Sequence, residues 1–255
     1  MLDWFTWNGV DCRDYGIHVL QQPTYFRAKE RVENITIPGR SGALTRLEGD
    51  DVYDNQQLTC TCIIHNSEDN RVENINSWLR GNGKLVFATR QNGFFKGRLN
   101  SQLQYAQLVR GNPHLSFQLQ FDCAPYFFLN SGETPMTYER PANLSDSRWI
   151  VSIENLGTVP SQPLIKVTGT GDGDIWCGTQ EVSLLSVDTT KYGYVVLDSD
   201  AKVAYTGEIG SAVQPLEMVG THVQGAWIEL PTGTSQLILS SSITSIVLTP
   251  RWRCL

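Results

Sequence analysis

Cys60 and Cys62 flank a single threonine, and His65 follows three residues later. On a strand the two thiols share a face, and thiolates with a nearby imidazole are how a zinc site begins. Such a site needs four ligands, and Cys123 and His114 stand isolated, so Cys60 and Cys62 read as small apolar residues lining a sheet core. Ser199-Asp200-Ala201-Lys202 matches the bare S-x-x-K string, whose chemistry requires a helix start that aims the lysine at the serine. Here the string sits inside "VVLDSDAKVAY" and reads as a turn between strands. "GTGDGDIW" gathers three glycines and two aspartates. A phosphate loop would lead into a helix and a calcium loop would carry further ligands and a distal Glu; Trp176 and a strand follow instead, so this stretch reads as a hairpin turn. His18, His65, His114 and His222 lie on strands or loops, none beside a nucleophile in an elbow setting. Trp149, Trp176, Trp227 and Trp252 could form a sugar-stacking platform, but they read more simply as sandwich core. No catalytic residue, metal ligand or cofactor is assigned from these patterns.

The elements that would position these residues are mostly strands. The runs from Trp4 to Trp7, Gly16 to Leu20, Val32 to Ile37, Gln57 to Ile64, Lys84 to Ala88, Phe94 to Leu99, Tyr105 to Val109 and Leu115 to Phe121 are short. They are rich in β-branched and aromatic residues and punctuated by Gly, Asn and Asp. "SEDNRVENINSWLRGNG" breaks this pattern. It places Val72, Ile75, Trp78 and Leu79 at helical spacing, with Ser67 as N-cap, Glu68 and Asp69 in the first turn and Gly81 at the stop. One amphipathic helix of about three and a half turns is expected, its apolar face on a sheet. From Asn130 to Ser147 periodicity dissolves into "NSGETPMTYERPANLSDS", which sets the boundary between a domain at 1–130 and a second at 131–255. Beyond it "PLIKVTGTGDGDIWC", "EVSLLSV", "YGYVVLDSDAKVAYTG", "AWIELPTG" and "SQLILSSSITSIVLTPRW" read as closely spaced hairpins of a two-sheet sandwich.

The 255 residues carry a net charge of −6, 40% hydrophobic and 18% charged side chains. Residues 1–130 hold 13 basic and 13 acidic side chains, and 131–255 hold 7 and 13. The whole deficit lies in the second part, and neither part has the basic footprint of a nucleic-acid reader. No apolar run approaches the ~20 residues of a membrane span, and Met1-Leu2-Asp3-Trp4 lacks the basic start of a signal peptide, so a soluble, unexported protein is expected. In that setting the six scattered cysteines (Cys12, Cys60, Cys62, Cys123, Cys177, Cys254) are expected as reduced, mostly buried thiols.

"ENITIPGRSGALTRLEG", residues 33–49, describes two extended runs joined by Pro38-Gly39-Arg40-Ser41-Gly42. A tight hairpin needs only two turn residues. A longer arm with polar groups on both faces is an open sheet edge unless something covers it. Ile35, Ile37, Arg40, Leu44 and Arg46 are the arm residues expected to touch a neighbour.

Taken in order, "FTWNGVDCRDYGIHVL", "KERVENITIPGRSGALTRLEG", "INSWLRGNGKLVF" and "QLVRGNPHLSFQLQFDCAPYFF", followed by "YVVLDSDAKVAYTG", "WIELPTGTSQLIL" and "IVLTPRW", closely resemble the distal tail (Dit) proteins of long-tailed bacteriophages with non-contractile tails. The resemblance implies a mainly β chain: an N-terminal β-sandwich with one α-helix and a projecting β-hairpin arm, the belt domain, followed by a galectin-like β-sandwich. It implies a structural virion protein and no enzyme. Copies would form a homo-hexameric ring between the tail tube protein and the tail-tip or baseplate adhesin proteins of host attachment, with DNA passing through the channel without specific binding. Assembly in the host bacterial cytoplasm is implied too. An alternative is a carbohydrate-binding module working through the second sandwich; the compact His, Arg, Asn, Trp and Glu set of galectins has no counterpart here, since His222 stands apart from Arg148 and Trp227.

Overall fold

The computed structural model describes residues 2–47, 49, 52–64, 71–107, 114–144, 146–185 and 192–255. They fall into two compact units, one running to Phe128 and the other spanning Leu129–Cys254.

The first unit is built on strands β1 (Phe5–Trp7), β2 (Val10–Asp11), β3 (Ile17–Gln21), β6 (Gln56–Ile64), β7 (Asn82–Phe87), β8 (Gly93–Leu99), β9 (Ala106–Gln107) and β10 (Leu115–Leu129), with β4 (Val32–Thr36) and β5 (Ala43–Leu47) apart from them. The large sheet runs β2-β1-β7-β8-β10-β6-β3, with β9 on β10. Alternation explains its filling: Leu58, Cys60 and Cys62 point inward from β6, opposite Phe121, Leu119 and Phe117 of β10, and Ile64 and Cys123 are buried at either end of the pair. The sheet curls until its ends meet, Val19 N–H donating to Asp3 O at 2.7 Å, so one sheet supplies both layers of the sandwich. Phe5, Trp7, Phe87 and Phe121 pack ring against ring at 5.5–6.4 Å between them. Each such fully buried aromatic contributes about 1.5–3 kcal/mol.

Helix α1 (Arg71–Trp78) is the α-helix among the described residues. Ile75 and Leu79 are fully buried, and the Trp78 indole stacks on Phe5 at 5.7 Å and on Tyr15 at 4.5 Å. Val72 is half-buried on the same face. The cap at Ser67 and the acids Glu68 and Asp69 lie outside the described residues, as does Val109 at the end of the run from Tyr105.

The second unit is a sandwich of two antiparallel sheets. One contains β11 (Met136–Glu139), β13 (Leu164–Gly169), β16 (Val195–Asp198), β17 (Val203–Thr206), β18 (Glu217–Met218) and β21 (Ile243–Thr249), in the order β11-β21-β13-β16-β17-β18. The other contains β12 (Arg148–Asn155), β14 (Gly173–Cys177), β15 (Gln180–Leu184), β19 (Val223–Gly225) and β20 (Gly233–Ser240), in the order β12-β20-β14-β15-β19. Strict alternation in β12 sends Trp149, Val151 and Ile153 into the core, against Ile165, Val167, Leu197, Leu237, Leu239, Ile246 and Leu248.

Two stretches depart from the sequence reading. "GTGDGDIW" joins β13 to β14 and "SQLILSSSITSIVL" runs from β20 into β21, yet each pair lies in different sheets. Both are crossovers at one corner of the sandwich. They pack so closely that a Cβ on Gly169 would stand 2.4 Å from Ser242 O, and Ser240 Oγ accepts from Asp174 N–H at 2.9 Å. Turn-forming residues mark a change of direction, and a sheet-to-sheet corner needs them as much as a hairpin does.

Candidate assembly interface

The residues with chemical potential are placed structurally. Cys12, Cys60, Cys62, Cys123 and Cys177 are buried free thiols and Cys254 is half-buried. Burial pushes the Cys12 and Cys123 thiols up to about 12. Cys62 is driven upward by its contact with Cys60 Sγ at 3.8 Å and then by burial. Protonated thiols at neutral pH are poor nucleophiles and poor ligands. His65 lies outside the described residues, and among those described no three His, Cys, Asp or Glu side chains gather as a metal site. Ser199 is buried in the turn between β16 and β17, with Lys202 exposed beyond it. Trp149 and Trp252 are core residues, Trp227 packs half-buried against that core, and Trp176 lies beneath the Arg148 guanidinium at 4.2 Å. No described helix is long and apolar enough to cross a membrane.

The arm is a different kind of feature. β4 and β5 pair with each other and with no other described strand, forming a two-stranded ribbon. It is rooted by the Glu30–Tyr53 bridge, by Arg31 N–H to Val52 O at 2.9 Å and Asp54 N–H to Lys29 O at 2.8 Å, and by the Arg31–Asp54 ion pair at 3.0 Å. Beyond that root, every residue from Glu33 to Leu47 is exposed. The loop between the strands spans residues 37–42, with Gly39 and Gly42 at φ of +82° and +81° and Arg40 N–H bonded to Ile37 O at 3.2 Å. Positive φ at both positions accounts for the glycines.

Register sorts the side chains. Glu33 pairs with Arg46 and Ile35 with Leu44, while Val32, Asn34 and Thr36 oppose Leu47, Thr45 and Ala43 on the other face. Three of the five expected contact residues, Ile35, Leu44 and Arg46, therefore share one face, and Ile37 and Arg40 sit in the loop between the strands. Ile35, Ile37 and Leu44 are 36%, 39% and 45% exposed, apolar side chains held in water along the ribbon and at its loop. A lone hairpin of this size is marginal in water, and its outer edges offer unpaired backbone groups. Leu47, 55% exposed on the opposite face, was not singled out from the sequence although the same alternation contains it.

A second exposed apolar cluster was missed. Ile209 and Val213 are 85% and 87% exposed, with Met218 at 61% and Leu216 at 41%. They lie in the loop and edge strand that follow β17, where the sequence pattern signals only a turn.

The fold of this chain, taken over its whole length, recurs in solved structures. This chain has the fold of the SPP1 Dit protein. That crystal structure, described as a paradigm of the hub adsorption apparatus in phages infecting Gram-positive hosts, matches with a TM-score of 0.68 at 14% identity, over 97% of this chain and 98% of the other. A chain of the phage p2 baseplate in its activated conformation with Sr matches with a TM-score of 0.51 at 9% identity, over 97% and 98% of the two chains. No protein-family profile and no curated protein sequence matches. The Dit fold thus extends over both units, at identities where the likeness is one of fold.

Proposed function

We propose that this protein is a structural virion component, a tail hub whose copies close into a hexameric ring joining the tail tube to the tail tip or baseplate that carries the adsorption proteins. The belt at 1–130 forms the ring, the galectin-like sandwich at 131–255 hangs on it, and DNA passes through the channel. The chain acts by shape and assembly and has no enzymatic role.

The observation that carries this reading is the arm: an exposed ribbon with apolar side chains held in water and two open edges, in a chain with the fold of a phage hub protein. A closed ring of identical copies gives every arm a neighbour and leaves none unpaired. Light scattering coupled to gel filtration tests it, with a six-fold mass expected and a ring by negative-stain microscopy. Deleting residues 38–42 is expected to dissociate the ring into folded subunits. A wild-type chain that stays monomeric at high concentration overturns the reading.

A further inference from the structure

Strands β3, β6 and β10 share an outer face made of amides and hydroxyls. Their alternate residues fill the core, and those between point to solvent: Gln57, Thr59 and Thr61 from β6, Gln118 and Gln120 from β10, and Gln21 from β3. Register lays them in cross-strand rows, Gln21 beside Thr61 and Thr61 beside Gln118, then Thr59 beside Gln120. Gln120 Nε2 donates to Gln57 Oε1 across the same strands. Gln102 and Gln104, both exposed, border this face beyond β10, where the Ser101 hydroxyl accepts from Gln120 N–H at 3.1 Å.

Charge is confined to the margins of these rows. At one end Asp122 lies 3.5 Å from Arg98 and accepts from Asn55 Nδ2 at 3.3 Å; at the other, His18 Nδ1 lies 2.8 Å from Asp3. The same sheet carries its lysines elsewhere, Lys84 of β7 standing directly opposite Lys96 of β8. About a quarter to a third of an ordinary protein surface is charged, so rows of six outward side chains with no charge among them ask for a reason. A protein partner would need aromatic or aliphatic anchors, and none stands among the six. An added strand would need an open edge, whereas β6 and β10 are interior to their sheet. The surface instead holds water through its amides and hydroxyls. It has no cation to displace counterions from a phosphate and no anion to repel one.

We infer that this face is the wall of the proposed channel, the surface past which duplex DNA moves. The inference rests on the ring reading and deepens it, by naming the side of the sheet that is turned to the axis. A wall bearing lysines such as Lys84 and Lys96 would retain a polyanion, each phosphate contact adding to the affinity. A strongly acidic wall would oppose its entry. Glutamine and threonine do neither.

Gel retardation by the full-length ring tests this, with a linear duplex and a covalently closed circle of the same sequence as probes. Thr59→Lys with Gln118→Lys puts two cations per copy at exposed positions of the face. Sedimentation velocity should still give the six-fold mass. The variant ring is expected to retard the linear duplex at concentrations at least about tenfold below wild type, less so as salt rises, and to spare the circle, which cannot thread a closed ring. Should that pair lose the native circular dichroism spectrum, Gln102→Lys with Gln104→Lys carries the same charges beyond the strands. Equal retardation of both probes puts the face on the outside of the ring. Loss of the six-fold mass by a folded variant puts it between copies, and an intact ring that retards neither probe leaves no phosphate near it. Each of these overturns the inference while the ring reading stands. A wild-type monomer overturns both.

Discussion

At the scale of single residues, the best-defined polar feature is the pair formed by Asp198 and Arg251. The two side chains meet at 2.7 and 3.0 Å and are 16% and 18% exposed. Asp198 also accepts from Asp200 and Ala201 N–H groups at 3.1 Å each, closing the turn between β16 and β17. Burial alone would raise the Asp198 carboxyl, but the Arg251 hydrogen bonds and charge together with the Ala201 and Asp200 N–H groups outweigh it and hold the group below its ordinary value. A depressed folded-state pKa contributes stability above the unfolded value near ~4, and that contribution is lost as pH falls through the folded-state value. In urea titration at neutral pH, Asp198→Asn is therefore expected to be roughly 2 kcal/mol less stable than wild type, between an exposed pair and a fully buried one. Wild type should lose the same increment on its own as pH drops below ~4, so the gap between the two chains narrows there. The turn around Asp198 was legible as "VVLDSDAKVAY", whereas its partner lies 53 residues away, and no local pattern announces a contact of that separation.

At the scale of elements, alternation was the most readable signal and connectivity the least. The period of two in residues 57–64 separates core from solvent, and the helical spacing of Ile75, Trp78 and Leu79 marks a packed face, whereas the equally regular alternation of residues 148–155 was passed over. The joins Gly169–Gly173 and Ser240–Ile243 were misread as hairpins because glycine and serine report that the chain turns, not which sheet receives it. The exposed loop after β17 was hidden for a related reason: "GEIGSAVQP" has the glycines of a turn, and the pattern does not tell that Ile209 and Val213 stand in solvent. Two predictions belong here. Leu44→Asp is expected to leave subunit stability within about 0.5 kcal/mol of wild type, since the site is exposed in the single chain, while lowering the assembled mass in light scattering. Gly207→Ala is expected to spring the loop, because its Cβ meets Pro215 O at a φ of +80°. Limited proteolysis should then cut within 208–214 faster than in wild type, with the sandwich core intact.

At the scale of the whole molecule, charge and copy number make the argument. The first 130 residues are balanced at 13 basic and 13 acidic side chains, and the rest carry the entire deficit of six. The proposed passage of DNA needs a surface with few cations to displace counterions from phosphates, so duplex DNA should show no retardation by the purified protein in gel-shift assays, even at low salt. Assembly makes a sharper demand. If exposed arms are covered only by other copies, part of each subunit's stability is borrowed from its neighbours, and mass action then couples unfolding to concentration. Tenfold dilution removes about 1.4 kcal/mol per mole of association, which for a chain of this length corresponds to an apparent Tm lower by about 3–6 °C. Calorimetry across a hundredfold concentration range should show that slope for wild type and none for the chain lacking residues 38–42, whose arms no longer reach a partner. A flat wild-type line would mean that the ribbon contributes nothing between copies, and the ring would lose its physical basis.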